Sequence, residues 1–155
     1  QWEKATLLLS EATRTWEAQG RHAAVEKAIA AHLRYVLSHD VYAGFGFGAM
    51  VERADYMTPG QEGLICRYFT PTALPLRRLP KEFRHERPAG RYLVTYFAGD
   101  YMKTAPAYAL LRAYLAEHAL APVGCAYEES LIDEIAASDE KDYITRIAIR
   151  LEEPS

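Results

Sequence analysis

Two helical stretches, each followed by a pair of strand-like segments, stand in the same order in the two halves of the chain. From Arg21 to Leu37 the apolar residues Val25, Ile29, Leu33 and Val36 recur at spacings of three and four, which makes one buried helical face. "YAGFGFGAMVE" (42–52) then reads as a glycine-rich strand, where a bulge or the close approach of a ligand is permitted. A turn at "TPGQEG" leads into "LICRYFT", and the two segments form a hairpin. In the second half "RYLVTYFAGDY" reads as a strand and turn. "TAPAYALLRAYLAEH" (104–118) follows as a helix burying Tyr108, Leu111 and Leu115, with Thr104 at its N-cap and Pro106 in its first turn. "VGCAYEESLIDEI", a turn at "AASDEKD" and the closing strand "YITRIAIRLE" complete the set.

The opening "KATLLLSE" (4–11) fits either a strand or the start of a helix, and local propensity leaves both open. Between the halves, residues 71–91 hold four prolines and seven Lys, Arg or His residues with little periodicity. The interleaved Glu82 and Glu86 and the prolines fit a solvated connector with room for one short edge strand better than they fit a phosphate site. The expected class is α+β. An internal duplication, with repeats over about 3–70 and 91–153 and a connector over 71–90, is a hypothesis of pattern and not of residue identity. Two such units can pair their sheets and leave a cleft between their helices.

The 155 residues, half of them hydrophobic and a quarter charged, suit one compact domain. A net charge of −3 gives no general reason to bind nucleic acid or an anionic membrane. No apolar run approaches the roughly 18 residues of a membrane helix, and no basic-then-apolar start resembles a secretion signal. The expectation is a cytoplasmic chain with no membrane partner and no cofactor. Cys66 and Cys125 lie in separate strands without metal-ligand spacing and read as reduced core residues. The five histidines, at 22, 32, 39, 85 and 118, form no ligand pattern. Eleven tyrosines, five phenylalanines and two tryptophans suit a core and a wet aromatic pocket equally.

One strand carries an oddity. In "GCAYEESLIDEI" (124–135) two adjacent glutamates, Glu128 and Glu129, occupy the middle. Neighbouring side chains on a strand point to opposite faces, so one of the two faces whatever the sheet packs against. Read by itself, Glu128 is a solvated carboxylate of a half-exposed strand, because Asp and Glu are seldom buried unpaired. Ordinary core packing likewise explains about half of Phe45, Phe47, Tyr96, Tyr101 and Tyr143.

The segments "GRYLVTYFAGDY", "AYLAEHALAPVGCAYEESLIDEI" and "EKDYITRIAIRLEE", with the earlier "GFGAMVE" and "YFTP", resemble the GyrI-like effector-binding domains. Within that family they are most similar to the drug-binding domains of MerR-type multidrug regulators. The most specific element is the Tyr127–Glu128 pair on a strand followed by Tyr143 at the head of the last one. The resemblance implies two pseudo-symmetric βαββ repeats with antiparallel sheets, a ligand cleft between the helices, and a strand at 4–11. It also implies that Glu128 lies at the base of an aromatic pocket and attracts lipophilic cations, facing inward beside Ala126 and Ser130 while Glu129 takes the other face.

By the same resemblance Tyr143 keeps an aromatic of the family pocket, and Phe47 and Ile65 replace tyrosines there. Around "FAGDY" the aromatics are out of register with the family, but Phe97 and Tyr101 lie nearby and can swing into the pocket; Tyr96 and Phe45 are counted with its lining, and Trp16 occupies the analogous loop of the first repeat. The implied role is non-catalytic: sensing bulky lipophilic, cationic or aromatic small molecules. The resemblance implies that any contact with DNA is made through a helix-turn-helix domain outside these 155 residues, and that the full-length regulator would be a homodimer. The alternative is a stand-alone hydrolase of reactive small molecules with Glu128 in acid-base work. A third possibility, inhibitory binding to a protein such as a topoisomerase, rests on family analogy alone.

Overall fold

The computed structural model describes residues 5–9, 31–32, 48–72, 74, 76–99, 103–132 and 144–154. Its strands are β1 (Ala5–Leu9), β2 (Gly48–Val51), β3 (Ile65–Pro71), β4 (Arg84–Arg87), β5 (Tyr92–Ala98), β6 (Pro122–Ile132) and β7 (Ile144–Leu151). Among the described residues two α-helices are complete, α1 (Arg53–Tyr56) and α2 (Ala105–Glu117). The ambiguous first segment is therefore a strand. The helix expected over 21–37 lies outside the described residues except for Ala31 and His32, which are helical.

The seven strands form one sheet in the order β4-β1-β3-β2-β6-β7-β5, and every pairing is antiparallel. From β1 to β5 the order runs outward strand, hairpin strand, inner strand, then inner strand, hairpin strand, outward strand. The proline-rich connector supplies β4, which caps the β1 edge through pairs from Ala5↔Arg87 to Leu8↔Arg84. A basic strand at a sheet edge discourages edge-to-edge association.

Each face of the sheet buries its own cluster. On the α2 side Val51, Tyr56, Tyr108, Leu111, Ala126, Ile147 and Ile149 pack together, joined by Ile65, Leu93 and Phe97. Tyr108, Leu111 and Leu115 are the buried stripe of α2, at the spacing the sequence predicts. Thr104 holds the N-cap position, but it engages through its carbonyl, which accepts from the Ala107 and Tyr108 amides, and not through its hydroxyl. On the opposite face Leu7, Met50, Phe69 and Tyr127 form a second cluster. Here Gly48 is required by packing: a Cβ at this position would fall 2.2 Å from Phe69 Cζ, so the ring lies directly over the glycine. Full burial of Phe69 contributes about 1.5–3 kcal/mol.

Candidate functional site

The two adjacent glutamates of β6 part company. Glu129 points away from α2 and is held by two guanidiniums, Arg87 Nη1 at 3.3 Å from β4 and Arg146 Nη2 at 2.9 Å from β7. Glu128 points toward α2, where Ala49 of β2 and Ile147 of β7 flank it in register. It is 6% exposed. Among the described residues no Lys or Arg pairs with it.

Its partner is a tyrosine. The Tyr108 hydroxyl, projecting from the buried stripe of α2, donates to Glu128 Oε2 at 2.5 Å. Tyr108 is fully buried and stacks on Tyr56, with ring centroids 6.4 Å apart and planes 18° apart. Tyr56 is anchored in turn, since its hydroxyl donates to the Gly124 carbonyl at 2.9 Å. A ladder of two tyrosines thus ties the helix to the strand that carries the carboxylate.

Burial pushes the Glu128 carboxyl from 4.5 up to about 7, and the Tyr108 hydrogen bond offsets part of that rise. Burial, then the neighbouring Glu128, lifts the Tyr108 phenol well above 10, so it stays a donor at any physiological pH. A carboxyl poised near neutrality can release its proton when a cation arrives, or exchange one with a substrate.

The remaining candidates divide. Ile65 is half-buried on the α2 side and packs on the same cluster as Tyr108 and Ile147, so it shares a face with Glu128. Tyr96 does not. It pairs with Arg146 across β5 and β7, on the Glu129 face, and is 62% exposed. The strand alternation that turns Leu93 and Phe97 toward α2 turns Tyr92 and Tyr96 away, so Tyr96, expected beside Glu128, stands on the opposite face of the sheet. Phe45, Phe47, Tyr101, Tyr143 and Trp16 lie outside the described residues.

Tyr108 and Tyr56 were not expected at the site. Tyr108 is legible in the sequence as a buried helix residue, but nothing in its spacing tells what its hydroxyl reaches. On the far face His85 Nε2 and the Tyr127 hydroxyl lie 2.8 Å apart, tying β4 to β6. Among the described residues no group of three His, Cys, Asp or Glu is placed to hold a metal ion. No helix of the described residues is long and apolar enough to cross a membrane.

No protein-family model matches the sequence, and a search of curated proteins gives no match. Solved structures do match. The chain is similar to the EcmrR C-terminal domain with a TM-score of 0.69 at 11% identity, covering 99% of this chain and 94% of that one. It is also similar to EcmrR in an EcmrR–DNA complex, with a TM-score of 0.62 at 10% identity, covering 99% of this chain and 56% of the longer one. SAV2435 bound to tetraphenylphosphonium gives a TM-score of 0.57 at 15% identity over 98% of this chain and 91% of that chain. A hydrolase from Listeria innocua gives 0.56 at 8% identity over 97% and 88%. The chain has the fold of these proteins, consistent with the GyrI-like effector-binding domains that it resembles in sequence.

Proposed function

We propose that this chain is a small-molecule effector-binding domain in which Glu128 receives a bulky lipophilic cation. The observation that carries the reading is a carboxyl 6% exposed, on the helix-bearing face of the sheet, held by a tyrosine and by no cationic side chain among the described residues. Such a group lacks the counter-charge that a buried carboxylate needs, and a bound cation supplies it. The structural neighbour bound to tetraphenylphosphonium, itself a lipophilic cation, supports the ligand class. Phe45, Phe47, Tyr101, Tyr143 and Trp16 would supply the aromatic wall, each face adding about 0.5–2 kcal/mol of cation–π attraction. Ile65 would give that wall an aliphatic patch.

The strand order, which mirrors itself about the β2–β6 pair, supports two βαββ repeats over about 3–70 and 91–153 joined by a connector at 71–90. In a regulator of the kind that the EcmrR–DNA complex represents, occupancy of this domain would be relayed to a helix-turn-helix domain of a homodimer. Sensing of several drugs at one site follows from an aromatic cleft with a single charge.

A hydrolase is the second reading, favoured by the same carboxyl held near neutral pKa beside a tyrosine donor, and by the likeness to a hydrolase. Fluorescence titration with rhodamine 6G, with chemical analysis of the recovered dye, separates the readings. Saturable binding of unchanged dye that is lost in Glu128→Gln supports sensing. Absence of binding by the unsubstituted chain at high micromolar dye counts against it, and turnover of a reactive ester or epoxide abolished in Glu128→Gln supports hydrolysis.

A further inference from the structure

On the face of the sheet away from α2, three sulfur-bearing side chains meet from three neighbouring strands. Cys66 is on β3, Met50 on β2 and Cys125 on β6, with β2 between the other two strands. Cys125 shares the face of Tyr127 by simple alternation. Cys66 does not share the parity of Phe69. An extra residue in β3 opposite Met50 and Val51 makes a bulge there, and bulges re-aim side chains. As a result both cysteines pack against the cluster of Leu7, Met50, Phe69 and Tyr127. The two thiols lie close enough for each to perturb the other's ionisation, and both are free and half-buried.

A disulfide suits this arrangement poorly. Strands two apart in a sheet are separated by about 9–10 Å. That exceeds the Cα separation of about 4.4–6.8 Å that a disulfide takes. An ion between the sulfurs suits it well, since two metal–sulfur bonds of about 2.3 Å reach across roughly 4.6 Å. The donors also choose the ion. Calcium and magnesium require oxygen ligands, and structural zinc requires four ligands drawn from Cys, His and carboxylates. Thiolate and thioether sulfur select soft ions such as copper(I).

We propose that Cys66 and Cys125, with the Met50 thioether as third donor, form a binding site for a soft monovalent metal ion of the copper(I) class. Binding forms two metal–thiolate bonds and releases the two thiol protons to solvent, with no change in oxidation state. Glu52, whose charge is felt at both cysteines, favours a cation here, and Arg67 beside Cys66 balances the net negative charge of the two-thiolate complex. The apolar floor of Leu7, Phe69 and Tyr127 shields the bonds from water and from competing oxygen ligands.

The test is an anaerobic titration of the whole, reduced chain with copper(I) in competition with bicinchoninate. One ion per chain is expected to leave the chelator. Cys66→Ser and Cys125→Ser are each expected to weaken uptake by at least about a hundredfold, because losing a ligand costs more than losing its outer-shell support. Met50→Leu, which keeps the volume, is expected to weaken it about tenfold. In the unsubstituted chain, bound copper(I) is expected to protect both cysteines from iodoacetamide together. The site is refuted by a chain that cannot compete with the chelator, by uptake that persists in the double serine variant, or by protection of one cysteine alone.

Discussion

The Tyr108 hydroxyl and Glu128 Oε2 lie 2.5 Å apart, joining the buried stripe of α2 to the centre of β6. The bond is charge-assisted when Glu128 is ionised, and such bonds contribute about 1.5–3 kcal/mol. Tyr108→Phe is expected to lower stability by about 1–2 kcal/mol at pH 8 and by less at pH 5, where the carboxyl is neutral. It is also expected to push the Glu128 pKa higher still, because the bond it removes lowers that pKa. Urea unfolding at the two pH values checks the first outcome, and carboxyl-resolved NMR titration checks the second.

The uncompensated carboxyl costs stability in the ligand-free domain. Glu128 titrates near 4.5 when unfolded and at about 7 when folded, so the folded state holds its proton longer. Its effect on stability is nil below pH 4.5. The penalty then accumulates as the pH rises toward 7 and levels off above it, reaching roughly 3 kcal/mol. Glu128→Gln is therefore expected to be more stable than the parent at pH 8 and little changed at pH 4.5. Equal stabilities at pH 8, measured by urea unfolding, would show that the charge is compensated.

How much of this was legible in the sequence depends on the residue. The alternation through Glu128 and Glu129 required one inward carboxylate, and only the family resemblance carried by the Tyr127–Glu128 pair indicated which one. The same alternation separates Tyr96 from Phe97 but carries no mark of which face the helix covers, so the sequence named both, and only Phe97 shares the α2 side with Glu128. The four residues of α1 are too few to show a helical period, and the short edge strand expected in the connector is β4, whose position among the prolines and arginines depends on its pairing with the remote β1. The Cys66 bulge left no local signal, since an extra residue in a strand is defined only by its partner.

Tyr96→Ala is expected to leave cation binding unchanged within error, because its ring stands 62% exposed on the Glu129 face. A loss of several-fold in dye affinity, read by fluorescence titration, would place Tyr96 in the pocket after all.

Gly48→Ala is expected to destabilise the domain by about 1–3 kcal/mol, the usual cost of overpacking. The added methyl would have to displace the fully buried Phe69 ring, whose Cζ lies 2.2 Å from its position. Thermal unfolding checks this, and pairing the change with Phe69→Leu is expected to recover part of the loss.

The most direct measurement is isothermal calorimetry of tetraphenylphosphonium binding to the parent chain and to Glu128→Gln at pH 6 and pH 8. If Glu128 is the counter-charge, the parent binds more tightly at pH 8 than at pH 6. Near pH 7 it releases a fraction of a proton, seen as a dependence of the heat on the buffer. Glu128→Gln should bind weakly at both pH values with no proton release. Equal affinity at both pH values, or a glutamine variant that binds as well as its parent, would contradict the proposed role of Glu128.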